Sequence, residues 1–157
     1  MSIQAILLPL FVEVTLTLCL LLWLAELRRR DFKSGTVRPS QIALREPNWP
    51  ARTQQVAYSF SNQFELPVLF YVLTILEIIT RHADLIFVVL AWIFVLMRFA
   101  QACVHTTSNV VLRRGSFYVV GAFVLIIMWV IFMVRILLGL PWRRPRGLPP
   151  PSRFSAI

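Results

Sequence analysis

Residues 51–80 read ARTQQVAYSFSNQFELPVLFYVLTILEIIT, and the division of this stretch decides how often the chain crosses a membrane. Its later part, Leu66 to Ile79, is apolar apart from Thr74 and Glu77. That part is too short to cross alone, because a spanning helix needs about 20 residues. The earlier part, Gln54 to Glu65, is rich in Gln, Ser, Tyr and Asn. A single helix from Ala51 to Thr80 would be about 45 Å long at 1.5 Å per residue, against roughly 30 Å of hydrocarbon. Its polar half therefore projects into water or faces other helices. Upstream, in Pro47-Asn48-Trp49-Pro50, Asn48 can cap the helix and Pro50 suits its first turn.

Three less ambiguous blocks flank it. Ile3 to Ala25 is broken only by Gln4, Glu13 and a few threonines, with Trp23 placed as an interfacial anchor. The cluster Arg28, Arg29 and Arg30 is expected to stop this helix at the headgroups. Beyond a short connection at Arg81, His82 and Asp84, a third block runs from Leu85 to about Leu112, and a basic turn at Arg113 and Arg114 leads into a fourth, Phe117 to Leu140. The expected helices are about 3–27, 51–80, 84–113 and 116–140, an all-α membrane domain over residues 1–140. Residues 141–157 form a basic tail with five prolines, expected to be disordered. No cation stands in Met1 to Gln4, and the first apolar run exceeds a signal core, so it reads as a retained helix.

Composition agrees. The chain is 58% hydrophobic with a mean hydropathy of +0.73 over 157 residues, and its apolar residues come in long blocks rather than at the spacing of a soluble core. The formal charge is +9, from 16 Lys+Arg against 7 Asp+Glu, and Lys33 is the single lysine. A pI near 11.2 suggests nucleic acid at first sight. Here the cations sit mainly between and after the hydrophobic blocks, where they orient the chain and meet anionic headgroups, so no nucleic-acid partner is expected. Cys19 and Cys103 fall inside apolar blocks and read as packing residues. Four spans put both termini on one side. The opposite side holds Arg28, Arg29, Arg30, Lys33, Arg38, Arg45, Arg113 and Arg114, which favours the long first loop in the cytoplasm.

Charged groups within a span cost roughly 2.5–3.5 kcal/mol each at the helix centre, so they pair, line a cavity or sit near an end. On the second helix Gln55, Tyr58, Asn62 and Glu65 fall on one stripe. Pro67, two residues on, is expected to bend the axis and leave the carbonyl of Gln63 without its helical partner. On the third helix Arg98, Gln101, His105, Asn109 and Arg113 recur every three or four residues, within roughly 120° of one face. The third-helix stripe can hold an anion such as a carboxylate or can neutralise Glu65 from the neighbouring helix, and both stripes can act as glue that fixes helix against helix. Glu13 is a partner for a buried arginine or an interface device. Glu77 and Arg81 read as an i,i+4 pair, and Arg135 lies near enough to its helix end to reach the interface. His105 lacks a second His or Cys at ligand spacing, so no metal site is expected. No Ser-His-Asp set or phosphate loop is present.

Four short spans, a basic first loop, Asn62-Gln63-Phe64-Glu65 followed by Pro67, and an arginine closing helix three together resemble the MAPEG proteins, the membrane-associated proteins of eicosanoid and glutathione metabolism. The resemblance covers Ile3 to Leu140. His105-Thr106-Thr107-Ser108-Asn109 with Arg113 looks like the bacterial branch, which implies a multi-pass protein of the bacterial inner membrane. It further implies a left-handed four-helix bundle assembled as a homotrimer, with glutathione as co-substrate between subunits and a lipophilic small molecule as the second substrate. By that resemblance Asn62 and Glu65 match the residues that bind glutathione's polar groups, with Arg98, His105 and Asn109 beside them. Arg113 matches the arginine that stabilises the thiolate, the register against Arg114 being open. The chain departs from the family pattern at Tyr58, where enzymatic members carry arginine, and in having no tyrosine between Leu85 and Leu112. Two activities follow: a glutathione-dependent transferase or peroxidase, or a non-catalytic scaffold or lipophile-binding protein on the same fold. A transporter is a weaker third, since no second broken helix signals an alternating-access repeat.

Overall fold

A computed structural model describes residues 2–42 and 48–139 of the chain. Five α-helices form the bundle: α1 (Ile3–Lys33), α2 (Ala51–Ser61), α3 (Leu66–Ile79), α4 (Leu85–Thr106) and α5 (Val111–Leu137). Short 3-10 turns occur at Pro39–Gln41 and Asn62–Phe64, and the described residues contain no strand. Because α2 and α3 run on as one crossing, there are four spans, each long and apolar enough to cross a membrane. The proline-rich tail lies outside the described residues, as do Arg45 and Pro47.

The bundle is apolar on the outside and partly polar within. Leu22 is 69% exposed and Phe123 63%, while Arg98, Glu13 and Thr74 are wholly buried. Such an arrangement suits a hydrocarbon solvent, in which polar groups gain by meeting one another. The apolar core joins Phe70 and Leu73 of α3 to Ala91, Phe94 and Val95 of α4 and to Leu125 and Met128 of α5. Phe70 and Phe94 stack at 4.9 Å between ring centroids. Helix α4 is the hub, packed against α1, α2 and α5.

The helix ends depart from expectation in five places, one of them the start of α5, at Val111 rather than after a turn at Arg113 and Arg114. α1 does not stop at the arginine cluster but continues to Lys33. Glu26 accepts from Arg29 and Arg30, each at 2.7 Å, and these i,i+3 and i,i+4 pairs carry the helix on. It ends where Gly35 takes a φ of +68°. At the start of α2, Pro50 rather than Asn48 occupies the cap. The expected bend near Pro67 is a full break: Glu65 leaves helical geometry at φ −96°, ψ −98°, and Pro67 sits in the first turn of α3. A proline there loses no helical bond, and its ring would clash with the carbonyl four residues back if the helix ran through. Finally, α4 ends at Thr106 rather than near 113. The Thr106 and Thr107 hydroxyls donate back to the Ala102 and Cys103 carbonyls at 2.8 and 2.6 Å, and Asn109 turns the chain at a φ of +50°. Short polar side chains of this kind compete with the helical ladder.

Candidate functional site

Arg98 organises the interior. From the middle of α4 its Nη2 donates to the backbone carbonyl of Asn62 at 2.6 Å and to Gln63 Oε1 at 3.4 Å, while Nη1 donates to Gln101 Oε1. Its Nε lies 3.8 Å from Glu13 Oε1 on α1, and both side chains are fully buried. The guanidinium therefore spans the broken crossing, its own helix and α1. Its hold on the Asn62 carbonyl shows why the break is tolerated: an acceptor at the helix interruption finds a charged donor instead of lipid. Of the two expectations for Glu13, partner of a buried arginine is the one the structure has.

Glu65 stands differently. It is exposed on the surface of the single chain, and its Oε2 accepts from the Tyr118 hydroxyl at 3.1 Å. The Tyr118 ring lies beside Arg98, 5.9 Å from guanidinium carbon to ring centroid. Glu65 and Arg98 are thus linked through Tyr118 and not paired directly.

A second polar group forms at the loop end of the bundle. Arg114 Nη1 contacts His105 Nε2 at 2.8 Å and donates to Asn109 Oδ1 at 2.7 Å. Gln55 Nε2 donates to the His105 carbonyl at 2.6 Å, and Arg52 donates to the Thr106 carbonyl. Gln55 and Arg52 thereby satisfy two of the carbonyls left open at the end of α4. At the opposite end, Arg135 binds Asp84 Oδ2 at 2.7 Å and the His82 carbonyl at 3.3 Å. There Glu77 is 1% exposed and shares a small cleft with Arg135, whereas Arg81 has left the helix at a φ of +58°. The expected Glu77–Arg81 pair is therefore not formed; a positive-φ residue ends the turn that would have aligned them.

The MAPEG family model matches residues 6–134. The chain belongs to the MAPEG family. No curated protein and no solved structure matches it.

Within this MAPEG bundle the candidate residues fall into two sets. Asn62, Glu65 and Arg98 gather around the break, though Asn62 contributes its backbone carbonyl to Arg98. His105 and Asn109 gather at the loop end, joined by Arg114. The stripe on the third crossing is shorter than expected. Arg98, Gln101 and His105 face inward, but Asn109 lies in the turn and Arg113 is exposed in the first turn of α5. Arg113 and Arg114 are neighbours on a helix that starts at Val111, so they point in different directions, and it is Arg114 that reaches His105. Gln63 was expected to matter through its backbone carbonyl, but it is the Asn62 carbonyl and the Gln63 side chain that meet Arg98, and Arg52 was not expected at all. Gln63 follows Asn62 directly, and its signal was a fully polar residue beside a helix break. Arg52 sits one position after the start of α2, where its link to Thr106, 54 residues on, has no local signature.

Proposed function

We propose that this integral membrane MAPEG protein binds glutathione at the loop-end half of the bundle and uses its thiol on lipophilic electrophiles. The observation that carries the reading is one face of α5. Arg114 and Tyr118 are i,i+4 neighbours, about one helical turn apart. Arg114 carries His105 and Asn109, while Tyr118 carries Glu65. A cation and a carboxylate are thus attached to side chains one helical turn apart on α5. Glutathione offers an ammonium for Glu65 and carboxylates for the arginines, with Asn62, Arg98, His105 and Asn109 holding this frame in place. Arg113, exposed beside it, supplies the guanidinium that favours thiolate over thiol. The thiolate then attacks an electrophilic carbon, forming the S–C bond as the leaving group departs with its electron pair. With a peroxide, it attacks one oxygen, the O–O bond breaks to release the alcohol and leave a sulfenic acid, and the thiol of a second glutathione displaces water from that sulfenic acid to give the disulfide.

The same proposal includes a homotrimer. Glu65 is exposed on a spanning segment, where contact with hydrocarbon would cost roughly 2.5–3.5 kcal/mol at depth, and a neighbouring copy would cover it. The concentration of Arg28, Arg29, Arg30, Lys33, Arg38, Arg52, Arg113 and Arg114 at one end favours that end, with the first loop, on the cytoplasmic face of a bacterial inner membrane. The test is glutathione titration calorimetry on detergent-purified protein, followed by conjugation of chlorodinitrobenzene. Micromolar to millimolar binding and a conjugate are expected, and Arg113→Ala should cut turnover about 10²-fold or more, as loss of one charge-stabilising donor does. Absence of both binding and conjugate overturns the reading. One observation favours the alternative, a non-catalytic scaffold or lipophile-binding protein: Arg98 is met by Glu13, Gln101 and Asn62 from within the chain. Under that reading Arg113→Ala leaves assembly intact and removes no chemistry.

A further inference from the structure

A groove of about 570 Å³ runs along the face shared by α1 and α4, from Leu8 to Trp23 on the first helix and along Phe99 to Thr106 on the second. Fifteen helical rises from Leu8 to Trp23 make it roughly 22 Å long, more than one leaflet's share of a hydrocarbon core about 30 Å thick. Its walls are almost wholly apolar, so it holds a hydrocarbon chain without leaving a polar group unmet. The loop end is different. There the exposed Arg52 lies over the Trp23 ring, 4.9 Å from guanidinium carbon to centroid, and donates to the carbonyl of Thr106. Both of those residues line the groove. Arg28 stands at the same end, 4.9 Å over Trp49. The acidic residues nearby are already engaged: Glu26 with Arg29 and Arg30, and Asp31 with the Thr53 hydroxyl at 2.6 Å. An apolar trough that opens onto a cation at headgroup depth complements an anionic amphiphile.

We propose that this groove is a binding site for an anionic phospholipid, its acyl chain along α1 and α4 and its phosphate at Arg52. The groove does not include Glu65, Tyr118 or Arg113; its Arg52 end adjoins the His105 group through Thr106, but the proposal does not rest on the glutathione reading. Lipid bound there seals the α1/α4 face and ties the start of α2 to the end of α4 through the arginine that already bridges them. Cys19 and Cys103, both free and both lining the groove, serve as built-in reporters of its occupancy.

The test uses purified full-length protein in mild detergent, offered phosphatidylglycerol or phosphatidylcholine with identical acyl chains, with retained lipid counted by native mass spectrometry. Wild type is expected to retain the anionic lipid about fivefold better, the equivalent of about 1 kcal/mol for one arginine at the surface. Arg52→Gln should bring the two lipids to near parity, and Ala102→Trp, which fills the trough, should lower retention of both. Should Ala102→Trp fail to fold, alkylation of Cys19 and Cys103 in the wild type decides the point: phosphatidylglycerol should slow it several-fold more than phosphatidylcholine. Equal retention of the two lipids by wild type overturns the proposal. So does alkylation indifferent to lipid, or a Cys19–Cys103 crosslink between two copies, which would place a second subunit in the groove.

Discussion

Arg98 and Arg135 are both arginines in spanning helices, and the bundle satisfies them in opposite ways. Arg135 lies near the rim, its side chain 19% exposed, and holds one carboxylate, Asp84, at 2.7 Å. Arg98 lies at depth with no exposure and keeps its carboxylate, Glu13, at 3.8 Å. Its closer contacts are neutral dipoles: the Asn62 carbonyl, Gln63 and Gln101. At the rim water completes the solvation of an ion pair, so one good partner suffices. At depth nothing else completes it, and the protein surrounds the guanidinium with acceptors drawn from two crossings. The deep arginine thereby fastens the helix break, and the rim arginine fastens a single turn.

The largest expected effect follows from removing Arg98. Arg98→Met leaves Glu13 as an uncompensated carboxylate and the Asn62 carbonyl without its donor. The loss should be about 3–5 kcal/mol, the usual consequence of breaking a buried pair from one side, read from graded detergent unfolding of purified protein. The double variant Glu13→Gln with Arg98→Met should recover part of that loss. If Arg98→Met proves as mild as a rim substitution, the contrast between the two arginines is wrong.

An intermediate effect is expected at Tyr118, which connects the deep network to the exposed carboxylate. Tyr118→Phe keeps the ring beside Arg98 but removes the donor to Glu65. The fold should lose about 1 kcal/mol, typical of one hydrogen bond. Under the proposed function glutathione affinity should fall as well, and calorimetry on the same sample separates the two. Unchanged glutathione affinity with a weakened fold would make Tyr118 a strut alone.

Three of the four crossings were legible because hydropathy over some 20 residues is a property of composition, and a single apolar block carries it; the second, apolar only from Leu66 to Ile79, was legible through the length of helix that Ala51 to Thr80 allows. The inward placement of Arg98, Gln101 and His105 was legible for a related reason: helical spacing puts them on one face, and lipid penalises any other choice. Helix ends were harder. The break at Glu65 had a signal in Pro67, but whether proline bends a helix or starts a new one depends on a donor for the exposed carbonyl, and that donor is Arg98 on another crossing. The run Thr106, Thr107, Ser108 and Asn109 held a stop signal that the continuing stripe to Arg113 concealed. Arg135's partner was hidden differently. Glu77 sits at helical spacing from Arg81, whereas Asp84 reaches Arg135 across 51 residues of sequence. Which carboxylate meets which arginine is decided by packing, not by spacing.

The smallest expected effect is at the rim and tests whether Asp84 acts there as a charge or as a cap. Asp84 Oδ1 accepts from the Phe87 N–H at 3.0 Å while Oδ2 holds Arg135. Partial burial pushes its carboxyl upward, but the Arg135 hydrogen bond and charge, with the Phe87 and Ile86 N–H groups, outweigh that and hold it below the usual carboxylate range. A carboxyl depressed in the folded state stabilises above its unfolded value, near 3.9, and that contribution is lost as pH falls through the lower folded value. At neutral pH it is fully present, and acid alone removes it. Asp84→Asn keeps the cap, since asparagine caps as well as aspartate, and loses only the charge. It should lower stability by about 0.2–1 kcal/mol, as expected for a pair this exposed, and flatten the acid limb of the stability profile. Asp84→Ala should lose about 1 kcal/mol more by removing the cap. Equal losses for the two variants would mean that the Arg135 contact carries the whole effect, and a wild-type profile already flat in acid would show the rim pair contributing nothing.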